Sequence, residues 1–179
     1  MQTKTRFTRS TVAAALIVAF AAVSGTAIAG TDTDNLSVTA TVSANCTVDS
    51  TTAVAFGTYD PVTTNASDAL TSSGTINTTC TSGSDATITL GQGENFDTGS
   101  TDAVPLRRMV GAVNGQFLSY ELCQDSVTCS MAWGNDATTG KSITGSGTSD
   151  SVTVYGSVAG AQNVAADSYS DNVVVTVTF

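Results

Sequence analysis

A chain of 179 residues with 15 Asp and Glu, 6 Lys and Arg and a formal net charge of −9 is poorly matched to nucleic acid or an anionic lipid surface, both of which recruit cations. The sequence has no histidine, which removes Ser-His and Cys-His nucleophile systems and most zinc sites together. Charged residues make up only 12% of the chain, so its surface must be built mainly from Ser, Thr, Asn and Gly, with scattered Asp for solubility.

Lys4, Arg6 and Arg9 precede an apolar run from Val12 to Val23 and then Ala27-Ile28-Ala29. A basic start, a short apolar stretch and an A-x-A site make a secretory signal, with cleavage expected after Ala29. The run is about half the ~20 residues a spanning helix needs, so stable membrane insertion is not expected. The mature chain would be residues 30–179, with three cations against 15 acidic residues and a net charge of −12.

Next comes the stretch from Leu36 to Cys46. Leu36, Val38, Ala40 and Val42 alternate with Ser and Thr, the period of a strand burying one face. Lying so close to the new N-terminus, it raises the question of whose sheet it joins. Val54-Ala55-Phe56-Gly57 reads as a short strand closed by Tyr59-Asp60-Pro61, and residues 63–73 read as a polar loop. Strands are expected over 74–80 and 86–90, then a loop to Pro105 and a strand within 106–113. Asn114-Gly115 predicts a type I′ hairpin leading into Phe117–Leu122. After Met131-Ala132-Trp133, residues 134–150 are Gly, Ser and Thr rich. Residues 151–156 and 172–179 complete the set, the last strand running to Phe179. Roughly eight short strands with frequent turns predict an all-β antiparallel sandwich.

Four cysteines in an exported chain predict disulfides, with three possible pairings. A local Cys123–Cys129 clip, leaving Cys46 with Cys80, is favoured. No C-x-x-C pair supports a metal site, and no metal or cofactor is expected.

Paired carboxylates are the remaining route to catalysis: Glu94 with Asp97, or Glu121 with Asp125. Their loop-like settings favour solvated surface, since a working pair needs one buried, protonated member. Asp32-Thr33-Asp34-Asn35 lacks the glycine and distant Glu of a calcium loop, and Gly91-Gln92-Gly93 reads as a turn. Asn65-Ala66-Ser67 and Asn77-Thr78-Thr79 fit a glycosylation pattern that matters only where the transferase exists. Trp133, Tyr120, Tyr155, Tyr169 and Phe179 are candidates for a sugar-stacking face, although core positions are the commoner use of so few aromatics.

The order of several segments resembles the spore coat protein U domain family, which includes pilins of archaic chaperone–usher pili. The segments are the alternating strand leading into Cys46-Thr47-Val48, Phe56-Gly57-Thr58-Tyr59-Asp60-Pro61, and Gly74-Thr75-Ile76 running to Cys80-Thr81. Arg108-Met109 before Leu118-Ser119-Tyr120, Thr153-Val154-Tyr155-Gly156 and Tyr169-Ser170-Asp171-Asn172-Val173 follow. The resemblance implies an incomplete immunoglobulin-like sandwich lacking one strand, a Cys46–Cys80 bond, and donor-strand exchange. Residues 30–44 would be the donor segment, with Leu36, Val38, Ala40 and Val42 as inserting side chains, and residues 45–179 the pilin domain. The acceptor groove would be flanked by Asn172–Phe179. Partners would be like subunits in a head-to-tail polymer, a periplasmic chaperone and an outer-membrane usher. Two features depart from the family pattern: the Cys123 and Cys129 pair, and Ala166-Asp167 where a glycine is expected.

The expected function is therefore non-enzymatic: a fimbrial subunit exported through the periplasm to the cell surface for adhesion and biofilm formation. Alternatives are a spore or cell-surface coat protein of the same family and a secreted carbohydrate-binding sandwich. The weakest is a secreted hydrolase using carboxylates.

Overall fold

The computed structural model describes residues 28–179, so most of the expected signal segment lies outside the described residues. Two units separate at Ala40. In the first, residues 28–40 carry no helix or strand and are exposed. The second, from Thr41, is all β.

Among the described residues nine strands form: β1 (Cys46–Thr52), β2 (Leu70–Cys80), β3 (Asp85–Leu90), β4 (Arg107–Gly111), β5 (Phe117–Cys123), β6 (Lys141–Thr144), β7 (Ser149–Val158), β8 (Tyr169–Ser170) and β9 (Val175–Thr178). One sheet has the order β1-β2-β7-β5-β4-β8 and the other β6-β3-β9. All pairings are antiparallel. The expected antiparallel, immunoglobulin-like sandwich is what forms.

The alternation in β2 and β7 explains the layering. Ile76, Thr78 and Cys80 on β2, and Val152, Val154 and Val158 on β7, are buried. The residues between them turn outward, so the outer face of these paired strands is largely Ser and Thr. The inward residues meet Ile88 and Leu90 of β3, Leu118 and Leu122 of β5, and Trp133, the largest fully buried side chain. Trp133 donates its indole N–H to the carbonyl of Ile88 at 2.9 Å, satisfying the one polar group the ring carries into the core.

Several sequence expectations shift. No residue from 30 to 44 enters a ladder; the first strand begins at Cys46, where the expected one ends. The short strand expected at Val54–Gly57 is absent. Val54 and Phe56 pack on the core without a backbone partner, and Gly57 turns the chain with φ +78°. β2 starts at Leu70, inside the stretch read as a loop, because β7 pairs along its whole length. β6 likewise forms within the Gly-rich stretch, by pairing Ile143 with Ala86.

The hairpin at Asn114-Gly115 forms, but not as a two-residue type I′ turn. Gly111 N–H donates to the Gln116 carbonyl at 2.8 Å and Gly115 N–H to the Gly111 carbonyl at 3.1 Å, leaving a four-residue loop. Gly115 takes a positive φ and Asn114 does not, whereas type I′ needs both.

Both expected disulfides are present. Cys46–Cys80 joins directly paired residues of β1 and β2 with Cα atoms 4.1 Å apart. Cys123–Cys129 closes the loop after β5, where Gln124 N–H also donates to the Met131 carbonyl. The second pair ties only its own loop.

Candidate functional site

Two strand edges are left open on one side of the body. Among the described residues β1 pairs only with β2, and β9 only with β3. The edges converge at one end, where Cys46 and Cys80 pack with Ala86, Ile143 and Val177. Away from that end they diverge, and a cleft opens between them.

The cleft has an apolar floor of Ile76, Leu90, Leu122 and Val154, with Tyr120 and Met109 beside them. One wall is the chain from Thr51 to Phe56: Thr51 and Thr52 end β1, paired with Ile76 and Thr75, and residues 53–56 run on outside any ladder. The other runs from Tyr169 to Val175, and its Val173 and Val175 are half-buried. The hollow holds about 390 Å³. It shares Val54, Phe56, Met109 and Tyr169 with a second hollow of about 780 Å³ that reaches Val62 on one wall and Val164 on the other. Backbone groups on an open edge and an uncovered apolar floor are what an added strand satisfies.

Polar groups brace this site. Arg107, 2% exposed, donates Nε–H to the Gly91 carbonyl at 2.8 Å and Nη2 to the Leu90 and Trp133 carbonyls at 2.7 and 2.8 Å. Burial draws its pKa down to about 10, and the carbonyl cage offsets part of that cost. Tyr120 lies beside it. Burial first, and then the hydrogen bond its hydroxyl donates to Asp171 Oδ2 at 2.7 Å, push the phenol far above its ordinary range. Just before the Tyr169–Val175 wall, Asp167 accepts from the backbone N–H groups of Asn114 and Val113, both at 2.8 Å, which hold its carboxyl below the ordinary range. That explains Ala166-Asp167: neither residue has a positive φ, and the aspartate caps the hairpin loop in a turn that does not need glycine.

The sequence-predicted donor residues lie apart from any ladder. Leu36, Val38 and Val42 are 89, 85 and 82% exposed, and Ala40 is exposed as well. Asn45 is the last residue before β1, and its carbonyl accepts from Thr81 N–H at 2.9 Å. The expected acceptor flank, Asn172–Phe179, takes in the wall from Asn172 onward and β9, while Tyr169–Asp171 of the wall lie before it.

The catalytic candidates do not assemble. Asp97 pairs with Arg108 at 2.9 Å, Glu94 is exposed, and Glu121 and Asp125 both face solvent. Glu121, Cys123 and Cys129 lie close together, but both sulfurs are committed to the disulfide. Asp32 to Asn35 are exposed. Asn65 is buried, accepting from Asp60 N–H and donating to the Asp68 carbonyl, so it organises its own loop. The five aromatics do not share one face: Trp133 is core, Tyr120 and Tyr169 line the cleft, Tyr155 turns to the opposite side of β7 from Val154, and Phe179 is exposed at the end of β9. Sequence reading missed the bracing roles of Arg107, Asp167 and Asp171. The one signal was the Tyr-Ser-Asp segment, which carries no period and so reveals nothing of its partners.

The model of the Spore Coat Protein U domain matches residues 32–176. The chain is 45% identical over 172 residues to "Protein U" of Myxococcus xanthus, covering 93% of each protein. Among solved structures it is similar to one described as the CsuC-CsuE chaperone-tip adhesion subunit pre-assembly complex from archaic chaperone-usher Csu pili of Acinetobacter baumannii. That likeness has a TM-score of 0.50 at 20% identity and spans 78% of this chain and 40% of that chain. At that identity it speaks for the fold.

Proposed function

The chain belongs to the Spore Coat Protein U domain family, and from that premise we propose that it is a structural subunit of a surface pilus, assembled by donor-strand exchange. The observation that carries this reading is the apolar cleft between two open strand edges. The alternating segment of residues 30–44, with exposed Leu36, Val38 and Val42, supplies a strand of matching character.

Seating Leu36, Val38, Ala40 and Val42 in such a cleft contributes on the order of 5–8 kcal/mol of apolar burial, an upper figure before ordering entropy. Each subunit gives a strand and receives one. The contact is therefore heterologous and does not close, so a fibre is the natural product. A periplasmic chaperone would fill the cleft before assembly and an outer-membrane usher would exchange its strand for the next subunit's. Adhesion and biofilm formation are the roles such a fibre serves.

Deleting residues 30–44 tests this directly: the subunit should still bind its chaperone but fail to add to another. Normal fibres from that deletion would sink the reading. Val38→Asp should also weaken subunit addition, by placing an unpaired charge against apolar floor.

The 45% identity to Protein U favours a second reading, a spore or cell-surface coat protein of this family. Gold-labelled antibody on intact cells and spores separates the two, with label on filaments for the pilus and on a continuous envelope for the coat.

A further inference from the structure

Asp171 stands where the far wall of the cleft has least support. β8 below it pairs with β4 and β9 above it with β3, but residues 171–174 belong to no strand. Backbone bonds from Gly91 N–H to Val174 O and from Glu94 N–H to Asn172 O hold them loosely to a loop. The Asp171 carboxylate adds much more. Its Oδ1 accepts from Glu94 N–H at 3.0 Å, Asn95 N–H at 3.2 Å and Asn95 Nδ2 at 3.0 Å. Its Oδ2 takes the Tyr120 hydroxyl, which rises from the floor strand β5. Gly93, at φ +86°, lets the loop close over that carboxylate; a Cβ there would collide with it.

We propose that Asp171 is the positioning residue of the acceptor cleft, bracing the wall against the floor so that Val173 and Val175 stand at the spacing an incoming strand requires. The role rests on the strand-addition reading. A wall already fixed spares the incoming strand the entropy of ordering it, which is where preorganisation speeds capture. Asp171 touches the floor through Tyr120 and acts on the strand through the wall.

The test uses freshly refolded full chain and a fluorescent synthetic peptide of residues 30–44 as probe. Asp171→Ala should slow peptide capture roughly tenfold, the scale expected when a multiply bonded carboxylate is removed. Asp171→Asn should recover most of the rate, because its Oδ1 still accepts from the loop amides. Val152→Ala, a core change outside the wall, serves as control: it should lower the unfolding midpoint without slowing capture. Hydrogen exchange without peptide gives a second readout. Residues 171–175 should exchange about tenfold faster in Asp171→Ala while β2 and β7 keep their protection. Capture by Asp171→Ala at the wild-type rate, slowing by Val152→Ala of the same size, or unchanged exchange at 171–175 would each overturn the positioning role. If wild type captures the peptide and the Ala variant keeps pace, strand addition stands and Asp171 loses its role. If wild type ignores the peptide while exchange responds as stated, strand addition falls and takes the capture role with it.

Discussion

The two walls of the cleft solve one problem by different chemistry. The first, β1 and its continuation to Phe56, is anchored by six cross-strand pairs to β2 and by the Cys46–Cys80 bond. The second, Tyr169 to Val175 with the segment from Val164 leading into it, has two pairs of β8 with β4 and, at its far end, Val175 with Leu90; between them it is held by backbone bonds from Gly91 and Glu94 and by carboxylates, Asp167 on the hairpin loop and Asp171 on Tyr120 and the loop after β3. A covalent anchor does not depend on the groups around it, whereas a wall braced by side-chain hydrogen bonds stands only while its partners stay in place. The difference implies that single side-chain substitutions loosen the second wall and leave the first intact.

The largest expected effect comes from the core beneath the floor, which should move both walls together. Trp133 is fully buried, and its carbonyl accepts from Arg107 while its ring N–H donates to Ile88. Trp133→Ala should cost about 3–5 kcal/mol, measured by denaturant unfolding, with hydrogen exchange rising on both walls. A loss confined to one wall would show that the core does not join them.

Next in size is the covalent anchor. Replacing both Cys46 and Cys80 by Ser removes a link spanning 34 residues, worth about 4 kcal/mol by the loop-entropy relation. Exchange should rise over 46–56 and stay unchanged over 169–175. Equal loosening of both would mean that the walls are not independent. Replacing Cys123 and Cys129 in the same way opens a link of only 6 residues, about 2 kcal/mol on the same relation. Exchange should then rise in the loop Gln124–Met131 and on neither wall.

How much of this was legible in the sequence follows from the range of the interactions involved. Alternation in residues 86–90 and 151–156 announced β3 and β7, because side-chain period is local. The same rule misplaced the first strand: Leu36 to Val42 alternate well, yet find no ladder in this chain, while β1 has an outer run of Thr, Ser and Asp that period alone would not select. Pairing with β2 decides it. The polar stretches around 63–73 and 134–150 hid the start of β2 and all of β6 for the same reason, since Ser and Thr become strand only when a partner is beside them. The cleft was expected from the family resemblance, and its flank lies where Asn172–Phe179 was expected. Its braces were not legible, because Asp171 meets Tyr120 across 51 residues and Asp167 meets Asn114 across 53.

The smallest effect is the most selective between the walls. Asp167 is held below its ordinary 3.8 by the backbone N–H groups of Asn114 and Val113, and Asp60, just past the end of the first wall, is held below its ordinary value by Thr63 and Val62. A depressed folded pKa contributes stability that is present above the ordinary value and is lost as pH falls through the folded one. Acid below about pH 3.8 should therefore release both contacts. In a pH titration followed by NMR, the amide signals of Val113 and Asn114 should shift in that window, and Asp167→Asn should abolish the step. The signals of Val62 and Thr63 should shift too, but β1 should keep its exchange protection, because the disulfide does not titrate. If the first wall opened in acid as readily as the second, the covalent anchor would not be what separates them.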